Sequence, residues 1–263
     1  MSRHVLKSAR LTLRPLTEAD LPEMKARLFS EPEVVKTLLG DISTLEALEA
    51  QARLWLDGPD AWAQNGFGAW GVYSKDSVLL GLVAADQAIA EIGQGPEIFY
   101  LFAPTVWGKG VGSEATALMC NYLFEVLEQP ALEALIFAEL NPGSVRLAEK
   151  LGMTLVGRVP IVGHHLTEAR ARETQAFDLW RLETAAPDQA ARTLEETAFR
   201  IGQFLGEGIG SRDELTEALI AVAGPASRQI VEQRVAAGMA SPGMAHYRVS
   251  RAAYRTRVTA PRS

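Results

Sequence analysis

Glu97-Ile98-Phe99-Tyr100-Leu101-Phe102-Ala103-Pro104-Thr105-Val106-Trp107-Gly108-Lys109-Gly110-Val111-Gly112-Ser113-Glu114-Ala115 is the stretch whose reading decides the fold. It opens as an apolar, aromatic-rich run, which predicts a buried strand closed by Pro104. Gly108, Gly110 and Gly112 then make a turn, after which Ala115, Leu118, Met119, Tyr122, Leu123 and Val126 recur on one helical face. Strand, glycine turn and helix together suit an anion. Glycines admit a phosphate close to the backbone, and a helix start offers unpaired N–H groups and the positive end of a dipole. The spacing is neither G-x-x-x-x-G-K-[ST] nor G-x-G-x-x-G, which argues against nucleoside triphosphate and dinucleotide loops. The plainer alternative is a turn that only packs a helix on a sheet.

A second motif lies downstream. Leu135-Ile136-Phe137-Ala138-Glu139-Leu140 predicts a short buried strand, followed by Asn141-Pro142-Gly143-Ser144-Val145-Arg146-Leu147-Ala148-Glu149-Lys150-Leu151-Gly152-Met153. That run reads as a turn and a short helix stopped by Gly152. The first stretch resembles the acetyl-CoA pyrophosphate loop of the GNAT acetyltransferases, [QR]-x-x-G-x-[GA]. Its Glu-Ile-x-Tyr, Pro and Trp-Gly-Lys-Gly resemble the RimJ/RimL-like branch, the ribosomal-protein N-terminal acetyltransferases. Trp107 stands at the Gln/Arg position. The second motif, N-x-x-S…E-K-x-G-[FM], resembles the later GNAT signature at family spacing, and Leu11-Thr12-Leu13-Arg14-Pro15-Leu16-Thr17-Glu18-Ala19-Asp20 resembles the branch's first strand and helix.

The resemblance implies an α/β (α+β) GNAT fold, with a mixed, mostly antiparallel central sheet flanked by helices. It implies acetyl-CoA as donor and no metal. The acceptor would be a primary amine: a protein N-terminus, a peptide or a small amine. Leu101, Phe102 and Ala103 would supply backbone contacts to the pantetheine arm. Val106, Trp107, Gly108, Lys109, Gly110, Val111, Gly112 and Ser113 would wrap the pyrophosphate. Asn141 and Ser144 would stand near the thioester sulfur. Glu97 would be the general base, with His164 and His165 as rivals, and Ser144 the proton donor. Ala148 occupies the position where many family members carry a tyrosine acid.

Composition sets the outer bounds. With 263 residues, 48% apolar content and a net charge of −6, the chain reads as a soluble globular protein of one large or two modest domains, without the basic surplus of a nucleic-acid coat. Cys120 is the lone cysteine, which removes intrachain disulfides and thiolate metal sites. No signal core opens the chain and no run is long enough to span a bilayer, so no membrane partner and a cytoplasmic setting are expected.

Elsewhere, apolar runs at 68–73 and 78–84 around Ser74-Lys75-Asp76-Ser77 predict a hairpin. A helix is expected at 44–56, and strands at 154–158 and 176–180 would complete the sheet. Residues 1–183 form the expected GNAT domain, 184–191 a linker, 192–247 a small all-α C-terminal domain and 248–263 a basic tail. The helical part resembles the C-terminal helical module of some plasmid and phage primases, in "FRIGQFLGEGIGSRDELTEALIAVA" and "IVEQRVAAGM". Two readings stay open for it. One is a nucleic-acid or partner-docking module whose arginine tail meets phosphates. The other is a helical cap or dimerisation element, giving a homodimer. A non-catalytic, CoA-binding docking protein is the alternative to the enzyme.

Overall fold

The computed structural model describes residues 5–35, 45–56, 61–87, 93–161 and 167–259; His164, His165 and Arg262 lie outside them. Alternating apolar runs lay down β1 (Leu6–Lys7), β2 (Thr12–Pro15), β3 (Ala69–Tyr73), β4 (Leu79–Asp86) and β5 (Glu97–Phe102). Each pairs antiparallel with the one before, and β3 and β4 make the expected hairpin. Helices α1 (Leu21–Met24), α2 (Pro32–Val35) and α3 (Leu45–Leu56) fall between β2 and β3. After β5 come α4 (Val111–Asn121), β6 (Ala131–Ile136), α5 (Pro142–Lys150) and β7 (Thr154–Val159). The strand expected at 135–140 therefore starts earlier. Glu133 in mid-strand breaks the apolar run that would have revealed it.

The chain after β7 departs most from expectation. Residues 176–180 are not a closing strand but part of α6 (Glu168–Glu183). Its buried residues Ala171, Thr174, Gln175, Phe177, Asp178 and Leu182 recur at helical spacing, and that period overrides the strand preference of Phe177 and Trp180. Helices α7 (Ala190–Gly206), α8 (Arg212–Ala223) and α9 (Arg228–Met239) follow as expected, with Ser211 capping α8 through the Glu214 N–H. The chain then returns as β8 (Met244–Ser250) and ends its described part in α10 (Arg251–Thr259).

Strand β8 enters the sheet between β6 and β7, antiparallel to both, giving the order β1-β2-β3-β4-β5-β6-β8-β7. The helices α6–α9 are thus an insertion between two neighbouring strands. Residues 248–263 were expected as a basic tail; of these, 248–259 belong to strand and helix instead. Arg248, Arg251 and Arg255 pair with Glu133, Glu128 and Glu125. Within the insertion, Leu194, Ala198, Ile201, Leu219, Val231 and Val235 form a core. Phe204, Ile209 and Ala171 pack against Phe137 and Met244 at the sheet. Between α6 and α7, Arg200 and Asp178 form a fully buried ion pair with the Arg200 Nε donating at 2.7 Å.

One sheet face packs under α4, α5 and α10, through Met119, Cys120, Leu123, Leu147, Ala148 and Tyr254. The other lies under α1, α2 and α3, joined by Phe177 of the insertion. Among the described strands only β5 and β6 run parallel, and there their one registered pair is Glu97 with Glu133. At this foot the chains nearly touch: a methyl group on Gly95 would lie 1.9 Å from the Ala131 carbonyl oxygen, so only glycine fits. Beyond it the strands part.

Glu133 holds the foot together. Fully buried, it accepts from the Gln94 N–H at 2.7 Å and from Arg248 Nε at 2.8 Å, and its second oxygen lies 2.8 Å from His246 Nε2. Removing one partner of a buried charge set leaves the rest uncompensated, at a cost of about 3–5 kcal/mol. Glu133→Leu should therefore lower the urea midpoint by a loss of that size without changing the slope. A second network ties β2 to the start of α1. Asp20 accepts from Arg14 Nη1 at 2.9 Å, Tyr73 Oη at 2.7 Å and the Thr17 N–H at 2.8 Å. Burial opposes its charge, but these donors outweigh that and lower the carboxyl from 3.8 to about 2. Its contribution, on the order of 2 kcal/mol, is present above about pH 4 and lost as pH falls through about 2. Acid unfolding of Asp20→Asn should lack that component.

Candidate functional site

The parting of β5 and β6 opens a cavity of about 450 Å³ above the foot. Its walls come from both sequence motifs: Tyr100, Leu101 and Phe102 of β5, the loop at 106–113, and the start of α5 from Asn141 to Leu147. Among the expected ligand residues, Leu101, Phe102, Val106, Trp107, Gly108, Gly110, Gly112, Ser113, Asn141 and Ser144 line it. Ala103, Lys109 and Val111 lie in the same segments without lining the cavity.

The loop is shaped as an anion cradle. Gly108 and Gly110 take φ values of +73° and +75°, a region that costs a side chain dearly, and Gly110 is the N-cap of α4. With no side chain at the cap, the first N–H groups of α4 are left for a ligand. Trp107 makes a structural contact here: its indole N–H donates to the Phe102 carbonyl at 2.8 Å and ties the loop to the strand end. Arg10 braces the other side. It pairs with Glu114 in the first turn of α4 and donates to the Lys109 carbonyl at 3.2 Å.

Across the gap, Asn141 caps α5 by accepting from the Ser144 N–H at 3.1 Å, with Pro142 in the first turn. The Tyr100 hydroxyl donates to the Ser144 carbonyl at 3.2 Å and so bridges β5 to α5. Burial raises its pKa above the ordinary phenol value, so it stays protonated near neutrality. Arg146 and Lys150 of α5 add positive charge to the wall.

Glu97 stands apart. It shares a sheet face with Phe99 and Leu101 but is buried at the foot beside Glu133, and it does not line the cavity. Among the described residues the carboxylate that does is Glu33 of α2, which lies 3.5 Å from Arg192 at the start of α7. Arg192 brings the insertion into the cavity wall. Sequence reasoning found Tyr100 within the Glu-Ile-x-Tyr motif but gave it no role, because nothing local placed its hydroxyl at the start of α5. It missed Arg192 because α7 was expected in a separate domain, and Glu33 because Glu31-Pro32-Glu33 marked only a break.

The chain matches the Acetyltransferase (GNAT) domain family over residues 10–154. It is 28% identical over 154 residues to the uncharacterized protein YkkB of Bacillus subtilis, covering 56% of this chain and 84% of that protein. Its fold is similar to that of a protein from Vibrio cholerae assigned as a ribosomal-protein-serine acetyltransferase. That likeness has a TM-score of 0.51 and 21% identity over 65% of this chain and 94% of the other. An acetyltransferase from Agrobacterium tumefaciens is similar at a TM-score of 0.50 and 23% identity, over 65% and 92% of the two chains.

The cradle depends on a backbone that only glycine adopts freely. Gly110→Val should weaken CoA binding at least tenfold by calorimetric titration and lower the melting temperature by about 2–4 °C, since the left-handed backbone strains the free protein as well. Unchanged affinity would mean that the turn does not hold the phosphates.

Proposed function

The chain belongs to the GNAT acetyltransferase family, and from that premise we propose an acetyl-CoA-dependent N-acetyltransferase of the RimJ/RimL-like kind. Its acceptor would be a primary amine, as a protein N-terminus, a peptide or a small amine. The observation that carries this reading is the gap between β5 and β6, closed at Glu97 and Glu133 and opening between the glycine loop and the α5 cap. A pantetheine arm is a narrow amide chain, and a parted strand pair offers it the backbone groups of β5 on the gap side, at Tyr100 and the Phe102 N–H; the Ala103 N–H, expected to make such a contact, donates instead to the Leu80 carbonyl of β4 at 2.9 Å. The loop and the start of α4 would hold the pyrophosphate. Arg146 and Lys150 suit further phosphate charge.

Acetyl transfer needs a neutral amine, a polarised carbonyl and a stabilised leaving sulfur. The Leu101 N–H faces β4, in step with the Ala103 N–H on the Leu80 carbonyl, so a gap-side N–H of β5, at Tyr100 or Phe102, would face the acetyl oxygen, and Ser144 would donate near the sulfur. The amine would attack directly while both substrates are bound. Glu97 remains the proposed base, but four residues of strand set it about 13 Å from Leu101, so it would act through water. Glu33 is the carboxylate on the cavity itself.

Calorimetric titration with acetyl-CoA and CoA tests the donor site; micromolar binding is expected, and no binding by either would sink the reading. Thiol release against a panel of N-terminal peptides and small amines tests the transfer. Ser144→Ala should lower kcat about tenfold with acetyl-CoA affinity retained. Glu97→Gln should lower kcat if it is the base; a loss confined to Glu33→Gln would move that role to α2.

A further inference from the structure

Ala148 leaves the helix wall of the cavity without a phenol, yet a phenol stands there. In α5 the Ser144 carbonyl is the acceptor one turn before Ala148, whose own N–H it receives. The Tyr100 hydroxyl reaches that same carbonyl at 3.2 Å from the opposite side of the gap. Residue 148 is an alanine, buried in the same core that takes the Tyr100 ring. The ring leans on Phe102, 6.2 Å away between centroids, and Tyr100 is next in sequence to Leu101 on the cavity wall. The hydroxyl is therefore fixed from two sides, at the turn of α5 that carries Ser144.

We propose that Tyr100 supplies, from strand β5, the hydrogen bond that stabilises the leaving sulfur of the acyl donor. This rests on the acetyl-CoA reading of the cavity and names a residue that reading does not use. In the step, the bond between nitrogen and the acetyl carbon forms and the bond from that carbon to sulfur breaks. The sulfur keeps the electron pair of the broken bond. Tyr100 turns its O–H from the Ser144 carbonyl to the sulfur and retains its proton. The proton lost by nitrogen passes to water, and the thiolate takes one from the Ser144 hydroxyl, which water reprotonates, to give free CoA. A donor held ready in this way acts where charge develops and needs no rearrangement beyond one rotation of the hydroxyl.

The test reads the sulfur directly and requires no acceptor. CoA is bound to the full-length protein and its thiolate absorbance followed against pH, in the parent and in Tyr100→Phe. Arg146, Lys150, Arg192 and Glu33 line the same cavity and Cys120 lies beside the phenol. All are present in both proteins, so their influence cancels. The parent should ionise bound CoA about tenfold more readily than Tyr100→Phe, with CoA affinity equal within threefold. Tyr100→Phe combined with Ala148→Tyr should recover the difference, since the second phenol enters from α5. Coincident titrations with intact binding would overturn the proposal and leave the acetyl-CoA reading standing. Should Tyr100→Phe fail to fold, the parent alone decides: bound CoA that ionises no more readily than free CoA overturns it. Absence of CoA binding to the parent would remove both readings together.

Discussion

Two parallel strands that touch at one end and part at the other set the terms for everything around them. A parallel pair normally continues its ladder; here it stops after Glu97 and Glu133. The closed end is enforced by Gly95 against Ala131 and by the buried Glu133, which gathers donors from the β5 approach and from β8. The open end leaves backbone groups of β5 without a neighbour strand. Such groups are tolerated inside a protein only where water or a ligand meets them. The cavity is thus a consequence of sheet pairing, and its glycine loop and capped helix only furnish what the gap provides.

The insertion depends on the same foot. Strand β8 carries His246 and Arg248 to Glu133, while its other face sends Ala245, Tyr247 and Val249 into the core under α4 and α5. Helices α6–α9 are therefore bound to the sheet at both ends of their chain. They also reach the cavity, through Arg192 opposite Glu33, and the core over the other sheet face, through Phe177. An appended module would touch a catalytic domain along one surface. This one is threaded through the sheet that forms the site.

The sequence made several elements legible because their signals were local. The glycine triplet, the Asn141 cap, the 74–77 turn and the Ser211 cap each declare themselves within a few residues. What it concealed was set by distant partners. Strand β8 alternates apolar and polar residues, but its His246 and Arg248 pair with Glu133, more than a hundred positions away, so by sequence the stretch divides between the all-α domain and the basic tail. Residues 176–180 favour a strand by type and become helix because α6 must bury one stripe. Glu97 was legible as a strand-start carboxylate. Its distance from the cavity was not, since that depends on where β5 and β6 part.

The placement of β8 also bears on how the molecule is made. Strands β7 and β8 are partners in space, yet residues 160–243 separate them along the chain. While the ribosome is still extending the insertion, β6 and β7 stand with a vacant lane between them, each an unpaired edge able to accept a foreign strand. Closing that lane brings together segments far apart in sequence, and such contacts form late and slowly. The insertion's own helical core is the part that can form first, and once formed it delivers β8 to the lane. A nascent chain halted within α6–α9 would hold both sequence motifs of the site but lack the strand that secures its foot.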